Sequence, residues 1–385
     1  MIGQHIRLGR ISGIELGINW SVLAVFWLIA WSLAAVRLPA QYEGYGSVAY
    51  WIAGTATSLV FLASLLAHEL GHALVARSAA VEVDGITLWL FGGVARLRGE
   101  AMNPRAELMI TVVGPFVSVG LAVLFGALSF LLSGMGMQDL IPGVLRWLGV
   151  INATLAVFNL VPAFPLDGGR VLRAILWNRR ADRLSATRTA AAAGRGFAYF
   201  LIGLGLVEFA AGASVGGLWF VFLGWFLLGA AAVEESQALL RGALRDLRVE
   251  DIMSREPVAA PSSLSIDSFI DDYVMTRKFA TFPIEDDDGA VVGLATLSRA
   301  KDIPSDRRHE VRLSEIACPM NEVATVRPQD PAAEVLEGMQ RCSDGRALVF
   351  DDGRLVGIVS PRDVQRALER VGLRGEPVPE AGLRS

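Results

Sequence analysis

The chain is poor in charged residues, in histidine and in cysteine. Only 19% of its 385 residues are charged, whereas 53% are hydrophobic and the mean hydropathy is +0.45. This composition excludes an entirely soluble protein and predicts an integral membrane protein with a soluble part. Two cysteines, Cys318 and Cys342, are too few for a disulfide framework. Their scarcity, and their position in the less apolar C-terminal part, are consistent with a cytosolic tail.

The few charges are distributed unevenly along the chain. Residues 1–246 contain 17 basic and 14 acidic side chains, and residues 247–385 contain 18 basic and 25 acidic ones. The two parts therefore carry net charges of +3 and −7, which sum to the −4 of the whole chain. An acidic tail beside a mildly basic membrane part argues against nucleic acid as a partner.

Long apolar runs predict about six membrane spans, at 18–36, 48–77, 107–133, 144–165, 197–211 and 216–233. We expect the first run to be a retained span, because it has spanning length and lacks the small-x-small pattern of a signal-peptide cleavage site.

Two further segments have the pattern of strands. Residues 1–17 consist of short apolar pieces separated by glycines, which predicts a strand or loop at the membrane surface. Residues 81–100 alternate around Gly92 and Gly93, which predicts a hairpin. Lipid does not tolerate exposed strand edges, so this hairpin lies at the interface, lines a hydrated cleft, or is an ordinary cytoplasmic hairpin.

The distribution of arginine predicts the orientation of the spans. Residues 1–17, 77–106 and 168–196 together contain 13 arginines, whereas the alternate loops contain only Arg37 and Arg146. Because cytoplasmic loops are enriched in basic residues, both termini are predicted to be cytoplasmic. The second span then runs inward, and its C-terminal third lies near the cytoplasmic face.

That third of the second span contains a metal-binding pattern. His68, Glu69 and His72 lie in LVFLASLLAHELGHALVAR, residues 59–77, which is otherwise fit for lipid. Helix positions four apart share a face, so both imidazoles can reach one Zn²⁺ ion while Glu69 takes a proton from a bound water. The spacing predicts a zinc site of the zincin type. The alternative is a helix whose histidines only form hydrogen bonds with their neighbours.

Tetrahedral zinc with two histidines and a water needs one more protein ligand. Asp167 is the best candidate, because it follows the fourth span in FNLVPAFPLDGGR, residues 158–170, where prolines break the helix. The alternative is a surface Asp-Gly turn. Asn159 either donates a hydrogen bond to an oxyanion during peptide attack or satisfies carbonyls freed by Pro162.

The chain resembles the site-2 protease family of intramembrane metalloproteases, in the branch with a C-terminal pair of cystathionine-β-synthase-type (CBS) domains. The resemblance extends over residues 1 to about 235 and is carried by His68-Glu69-Leu70-Gly71-His72, Phe91-Gly92-Gly93, Asn103-Pro104, Gly114-Pro115 and Asn159 through Arg170. The family implies zinc held by His68, His72 and Asp167, with Glu69 as general base and Asn159 assisting at the transition state. The GGVARL stretch also resembles a bacterial subgroup that cleaves membrane-bound anti-sigma factors.

The tail contains an internal repeat with an offset of 64 residues, seen in VEDIM and LSEIA and again in VVGLATLSR and LVGIVSPRD. Each half has the pattern strand, helix, strand, strand, helix, and resembles one half of a tandem CBS pair. In that family Thr296, Ser360 and Asp363 match a ribose-binding pattern, but Arg299 stands where the first half would need an aspartate. The pair therefore either binds an adenine nucleotide at one intact site or is structural and dimerising.

We thus predict a polytopic α-helical membrane protein with about six spans and a small membrane-associated β-sheet, followed by cytosolic α/β tandem CBS domains. The predicted domains are residues 1–240 (metalloprotease), 247–305 and 310–370 (CBS repeats), and 371–385 (a flexible tail). The expected location is the plasma membrane of a bacterium, and the expected substrate is a single-span membrane protein.

Two other classes of function remain open from the sequence. A CBS-regulated transporter or channel could use intramembrane His, Glu and Asp to line an ion path. Transport needs no general base beside paired histidines, however, and apart from Glu208 only one cluster of intramembrane ionisable residues is evident. The second alternative is a catalytically idle scaffold.

Overall fold

The computed structural model describes residues 5–89, 92–98, 101–137, 139–212, 214–277, 279–333, 335, 339 and 342–372. Phe91 of the glycine hairpin and the predicted flexible tail from residue 373 onward lie outside the described residues. The chain divides into two compact units, residues 1–235 and 236–385.

The membrane unit contains seven helices among the described residues. They are α1 (Ser21–Gln41), α2 (Ser47–Ser78), α3 (Pro104–Gly134), α4 (Leu140–Asn159), α5 (Asp167–Arg180), α6 (Arg183–Ala210) and α7 (Ser214–Leu244, which continues into the second unit). All of them except α5 are long and apolar enough to cross a membrane, which confirms the prediction of about six spans.

The largest differences from the predicted boundaries are in the last three spans. The sixth span ends at Leu244 rather than at residue 233. The fourth span ends at Asn159 rather than at residue 165, because proline lacks the backbone N–H that a helix needs, and Pro162 and Pro165 follow directly. Residues 160–166 form turns, and a new helix, α5, begins at Asp167. The fifth span begins at Arg183, well before the predicted residue 197, because the alanine-rich stretch before 197 has high helix propensity.

A four-stranded sheet accompanies the helices, as the strand-like patterns predicted. Its strands are β1 (His5–Ile11), β2 (Ile14–Asn19), β3 (Glu82–Trp89) and β4 (Gly92–Arg98), in the order β1-β2-β3-β4. Strands β2 and β3 are parallel, and the outer pairs are antiparallel hairpins. Ile14 and Ile86 on this sheet pack against Ala73 on α2, so the sheet lies against the helix that carries the histidines.

The second unit contains two four-stranded sheets that exchange a strand. The order is β6-β7-β8-β9 in one sheet and β10-β11-β12-β5 in the other, so each repeat supplies its first short strand to the other's sheet. The strands are β5 (Ser254–Arg255), β6 (Ala260–Pro261), β7 (Thr281–Glu285), β8 (Val291–Thr296), β9 (Cys318–Pro319), β10 (Ala324–Val326), β11 (Ala347–Asp351) and β12 (Arg354–Val359).

Short helices complete this unit. They are α8 (Val249–Ile252), α9 (Ile266–Phe269, continued by π-helical Ile270–Val274 and α-helical Met275–Arg277), α10 (Leu297–Lys301), α11 (Leu313–Ile316) and α12 (Pro361–Gly372), with 3₁₀ turns at Ser305–Arg307 and Met320–Glu322. The predicted α/β tandem is confirmed.

Candidate metal centre

Three side chains from two helices converge on one point in the membrane unit. His68 Nε2 and His72 Nε2 are 3.2 Å apart, and each lies 3.2 Å from Asp167 Oδ2. His68 and His72 are one turn apart on α2, and Asp167 is the first residue of α5. Four-coordinate zinc with ligands at about 2.0–2.1 Å keeps neighbouring ligand atoms about 3.3 Å apart. The triangle therefore has the size of one face of a zinc tetrahedron.

The hydrogen bonds behind the two imidazoles determine what their inner nitrogens can do. His72 Nδ1 lies 2.7 Å from the carbonyl oxygen of Ile110. Because that oxygen can only accept, Nδ1 carries a proton, and Nε2 is the nitrogen that offers a lone pair to a metal when the ring is neutral. His68 Nδ1 lies 2.9 Å from the hydroxyl of Ser118. Both partners are on α3. Outer hydrogen bonds of this kind orient metal-binding histidines.

The carboxylate completes the donor set. Burial alone would raise the pKa of Asp167, but its hydrogen bonds with His68 and His72 hold that pKa well below its ordinary range. Asp167 is therefore a carboxylate, and its Oδ2 lies beside Nε2 of both imidazoles. When the two rings are neutral, a cation in place of the shared protons holds the three donors together, and two imidazoles with one carboxylate suit zinc.

Gly114 of α3 provides the space beside these donors. A Cβ at this position would collide with the His72 ring and lie 2.7 Å from His68 Nε2. The Gly114-Pro115 pair therefore lets α3 pass against the imidazoles without a side chain between them.

Glu69 lies next to the cluster and is held by the sheet. The backbone N–H of Gly93 at the start of β4 donates a hydrogen bond to the Glu69 carboxylate. A Cβ at Gly93 would fall 2.9 Å from Glu69 Oε1 and closer still to its Cγ. The hairpin predicted from the glycines thus contacts the predicted general base.

Asn159 is the last residue of α4 and is partly buried. The next residue, Leu160, packs against Gly168, where a Cβ would meet the Leu160 carbonyl. Asn159 therefore lies one residue from a contact with the first turn of α5. Within the described part of the chain, its side chain has no hydrogen bond.

The sequence argument missed a buried ion pair. Glu107 of α3 is 1% exposed and accepts a hydrogen bond from Arg173 Nε of α5 at 2.6 Å, while the Arg173 NH2 group contacts the same oxygen. The pair lies apart from the cluster that the sequence indicated, and Arg173 is on α5, which is not one of the six candidate spans. A charged residue three positions into an apolar helix was the signal that could have revealed the pair.

The predicted nucleotide-binding residues lie in two different settings in the tail. The Asp363 carboxylate accepts hydrogen bonds from the backbone N–H of Ser360 at 2.9 Å, from its hydroxyl at 2.6 Å, and from the Ser254 hydroxyl at 3.1 Å. Thr296 is buried and caps α10 by accepting from the Arg299 N–H. The Arg299 side chain donates to the Ile316 carbonyl, whereas Asp363, at the matching position of the second repeat, accepts hydrogen bonds from Ser360.

The two cysteines, which are too few for a disulfide framework, nevertheless form one bond with each other. Cys318 on β9 and Cys342 form a disulfide bond. Cys318 is fully buried, and Arg299 NH1 lies 3.3 Å from the Cys342 sulfur. A pair this far apart in sequence gives no local signal of its pairing.

Known proteins share both parts of this architecture. The model of peptidase family M50 matches residues 56–144 and 137–203, and the CBS domain model matches residues 249–303 and 313–370. A Mycobacterium tuberculosis protein named zinc metalloprotease Rip3 is 44% identical over 365 residues, which are 94% of this chain and 93% of the relative. A Synechocystis protein named zinc metalloprotease sll0528 is 30% identical over 96% of both chains.

A solved structure is also similar. The site-2 protease from Methanocaldococcus jannaschii is 28% identical, with a TM-score of 0.42, and the match covers 60% of this chain and 95% of that one. The resemblance drawn from the sequence is confirmed by the family match and the full-length relatives, which favour a protease over a transporter or an idle scaffold. The chain belongs to peptidase family M50, the site-2 protease family of membrane zinc metalloproteases, and carries a tandem of CBS domains.

Proposed function

We propose that His68, His72 and Asp167 hold the zinc ion of an intramembrane endopeptidase and that Glu69 is its general base. The observation that carries this proposal is the triangle of donor atoms, each 3.2 Å from the other two. The substrate class is a single-span membrane protein, cut in or near its transmembrane segment; membrane-bound anti-sigma factors are one such class. Zinc, when bound, acidifies a water towards a pKa of about 7 and polarises the scissile carbonyl.

The protein's own residues have separate roles in the reaction. Glu69, fixed by the Gly93 N–H, accepts the proton of the attacking water and can return it to the leaving amine. The Asn159 amide, at the end of α4, donates a hydrogen bond to the oxygen that becomes negative during attack. Ser118 and Ile110 hold the imidazole rings in the orientation that turns their Nε2 atoms inward.

The sheet offers a means of holding the substrate. A helical substrate hides its peptide bonds in its own hydrogen bonds, so it must unwind before hydrolysis. β4 is the last strand in the sheet order, and its first residues lie against Glu69. An unwound segment can therefore add to this edge as a further strand. Proline placed at alternate positions of residues 94–98 should weaken cleavage by removing backbone donors, and unchanged cleavage in every variant would contradict strand addition.

We propose further that the enzyme lies in a bacterial plasma membrane with both termini in the cytoplasm, an orientation that would give water access to the site. The 13 arginines of residues 1–17, 77–106 and 168–196, which lie in the loops and helix ends of one side, indicate the cytoplasmic face. The site lies toward that end of α2, so a polar opening to the cytoplasm can supply the water for hydrolysis.

Two measurements test the catalytic assignment. Membrane proteomes of cells with wild-type protein and with Glu69→Gln are compared for single-span proteins that persist only in the variant and for cytosolic fragments found only in the wild type. Zinc content is measured in purified wild-type, Glu69→Gln and Asp167→Ala proteins. We expect Glu69→Gln to retain zinc without cleaving and Asp167→Ala to lose both. A zinc-free wild-type protein would refute the proposal.

For the tail we propose one adenine-nucleotide site per chain, in the half that contains Ser360 and Asp363. Arg346 lies close enough to both the Asp363 carboxylate and Arg362 to interact electrostatically with them, and burial lowers the pKa of Arg346. This cationic surrounding suits phosphate groups, whereas Arg299 of the other half is committed to a carbonyl. Calorimetry of the full chain with ATP, ADP and AMP should give one site that Asp363→Ala removes. Absence of heat with all three would favour a structural pair that mediates homodimerisation.

A further inference from the structure

The Glu107–Arg173 ion pair connects the two helices that build the zinc site. Glu107 lies on α3, one turn before Ile110, whose carbonyl orients His72. Arg173 lies on α5, six residues after Asp167, or about 9 Å along the helix. Their contact is the buried charged link between the helix that orients both imidazoles and the helix that begins with the third ligand.

Arg173 also holds the turn that leads into Asp167. Its guanidinium carbon lies 5.1 Å from the centre of the Phe164 ring, which is 1% exposed. A Cβ at Gly169 would lie 2.5 Å from the Phe164 nitrogen, so this turn packs directly on the first turn of α5. The Arg173 side chain therefore contacts both Glu107 on α3 and Phe164 in the turn before α5.

The energetics of the pair favour a positioning role over a purely stabilising one. Burying two charges costs several kcal/mol per ion, which mutual attraction offsets only with good geometry. Here both contacts of Arg173 are to Glu107 Oε1, and Oε2 has no hydrogen-bond partner in the part of the chain that the structure describes. An apolar pair would stabilise the helix contact as well. What the ion pair adds is direction, because two nitrogens of one planar guanidinium must converge on Glu107 Oε1, which restricts the position of α5 against α3.

We propose that Glu107 and Arg173 are positioning residues that set the place of Asp167 relative to His68 and His72. The inference rests on the zinc site proposed above. Neither residue contacts the donor atoms; both act through the helices that carry them. The expected consequence of losing the pair is a looser third ligand, seen as weaker zinc binding and a lower kcat with little change in KM.

The test is a double-mutant cycle on purified full-length protein, with zinc affinity measured by competition with a chelator and thermal stability measured in parallel. The variants are Glu107→Gln, Arg173→Gln and the double variant. We expect each single variant to bind zinc about 10-fold more weakly, the lower end of the range for groups that contact a metal ligand directly, because this pair acts only through the helices. The double variant should bind zinc about as weakly as either single variant, well short of the product of the two losses, because both changes remove the same contact.

The control is a second interhelical ion pair, Arg195 on α6 with Glu235 on α7, which joins no ligand-bearing helix. Arg195→Gln and Glu235→Gln should leave zinc affinity at the wild-type value. If they weaken zinc binding as much as the Glu107 and Arg173 variants do, general loosening of the fold explains the effect and the proposal is wrong.

A further variant guards against misfolding of the single variants. Glu107→Leu/Arg173→Met replaces the ion pair with apolar contact that keeps the helices packed. We expect wild-type thermal stability with zinc affinity still reduced, and wild-type zinc affinity in this variant would overturn the proposal. Wild-type protein that contains no zinc would instead refute the proposed site, so the two failures are distinguishable.

Discussion

Gly93 lies against Glu69, and its backbone N–H donates to the Glu69 carboxylate. Substitution of Gly93 by alanine should therefore displace Glu69, because the new Cβ would fall 2.9 Å from Glu69 Oε1 and closer to Cγ. We expect cleavage to fall about 100-fold, the cost of moving a catalytic group by about 1 Å. Zinc content should stay at the wild-type level, since neither imidazole is touched.

The measurement for Gly93→Ala is cleavage of a model single-span substrate in liposomes, together with zinc analysis. Gly120→Ala is the matched control, because a Cβ at Gly120 meets no atom within 4 Å. Wild-type turnover in Gly93→Ala would contradict the contact between hairpin and base.

Gly114→Ala should have the opposite outcome, with zinc lost. Its Cβ would collide with His72 and lie 2.7 Å from His68 Nε2, in the space where the donor atoms converge. We expect the purified variant to contain little zinc and to cleave nothing, while its circular dichroism remains helical. Gly120→Ala on the same helix is again the control. Full zinc occupancy in Gly114→Ala would show that α3 does not limit the space beside the histidines.

Gly93 and Gly114 show which features of the site could be predicted from the sequence and which could not. The histidine spacing on an apolar helix and the aspartate after the prolines predicted the three donors, but the sequence analysis did not predict the helix α5 that begins at Asp167. The sequence also predicted the Gly92-Gly93 hairpin. It could not show that Gly93 contacts Glu69 or that Gly114 contacts His72, because both contacts join residues distant in the chain and depend on how the helices and the sheet pack.

The same limit explains the missed ion pair. Glu107 and Arg173 are 66 residues apart. Charged side chains such as these are ordinarily exposed to solvent, so neither residue by itself indicates a buried pair. Only packing of α5 on α3 buries both. The disulfide was missed for a related reason, since the sequence does not show whether two cysteines lie close enough in the fold to form a bond.

Ser118→Ala tests the orientation of His68. The Ser118 hydroxyl lies 2.9 Å from His68 Nδ1, and its loss frees the ring to rotate. Zinc affinity should fall about 10- to 100-fold, the usual cost of removing an outer partner of a metal-binding histidine. Competition with a chelator measures the change. Ser129→Ala, a buried serine of the same helix that donates to the Pro142 carbonyl, should leave zinc affinity unchanged, and an equal loss there would assign the effect to helix packing.

The Cys318–Cys342 bond should stabilise the CBS unit against local opening. It closes a loop across a sequence separation of 24 residues, which is worth about 3 kcal/mol in the chain-entropy treatment. Adding a dithiol reductant to the full-length protein should therefore accelerate amide hydrogen exchange in β8 and β11 about 100-fold, since about 1.4 kcal/mol is a factor of ten. In Cys318→Ala/Cys342→Ala, exchange should be fast and insensitive to reductant. If the wild-type rates do not respond to reductant while mass spectrometry shows free thiols, the bond does not stabilise these strands.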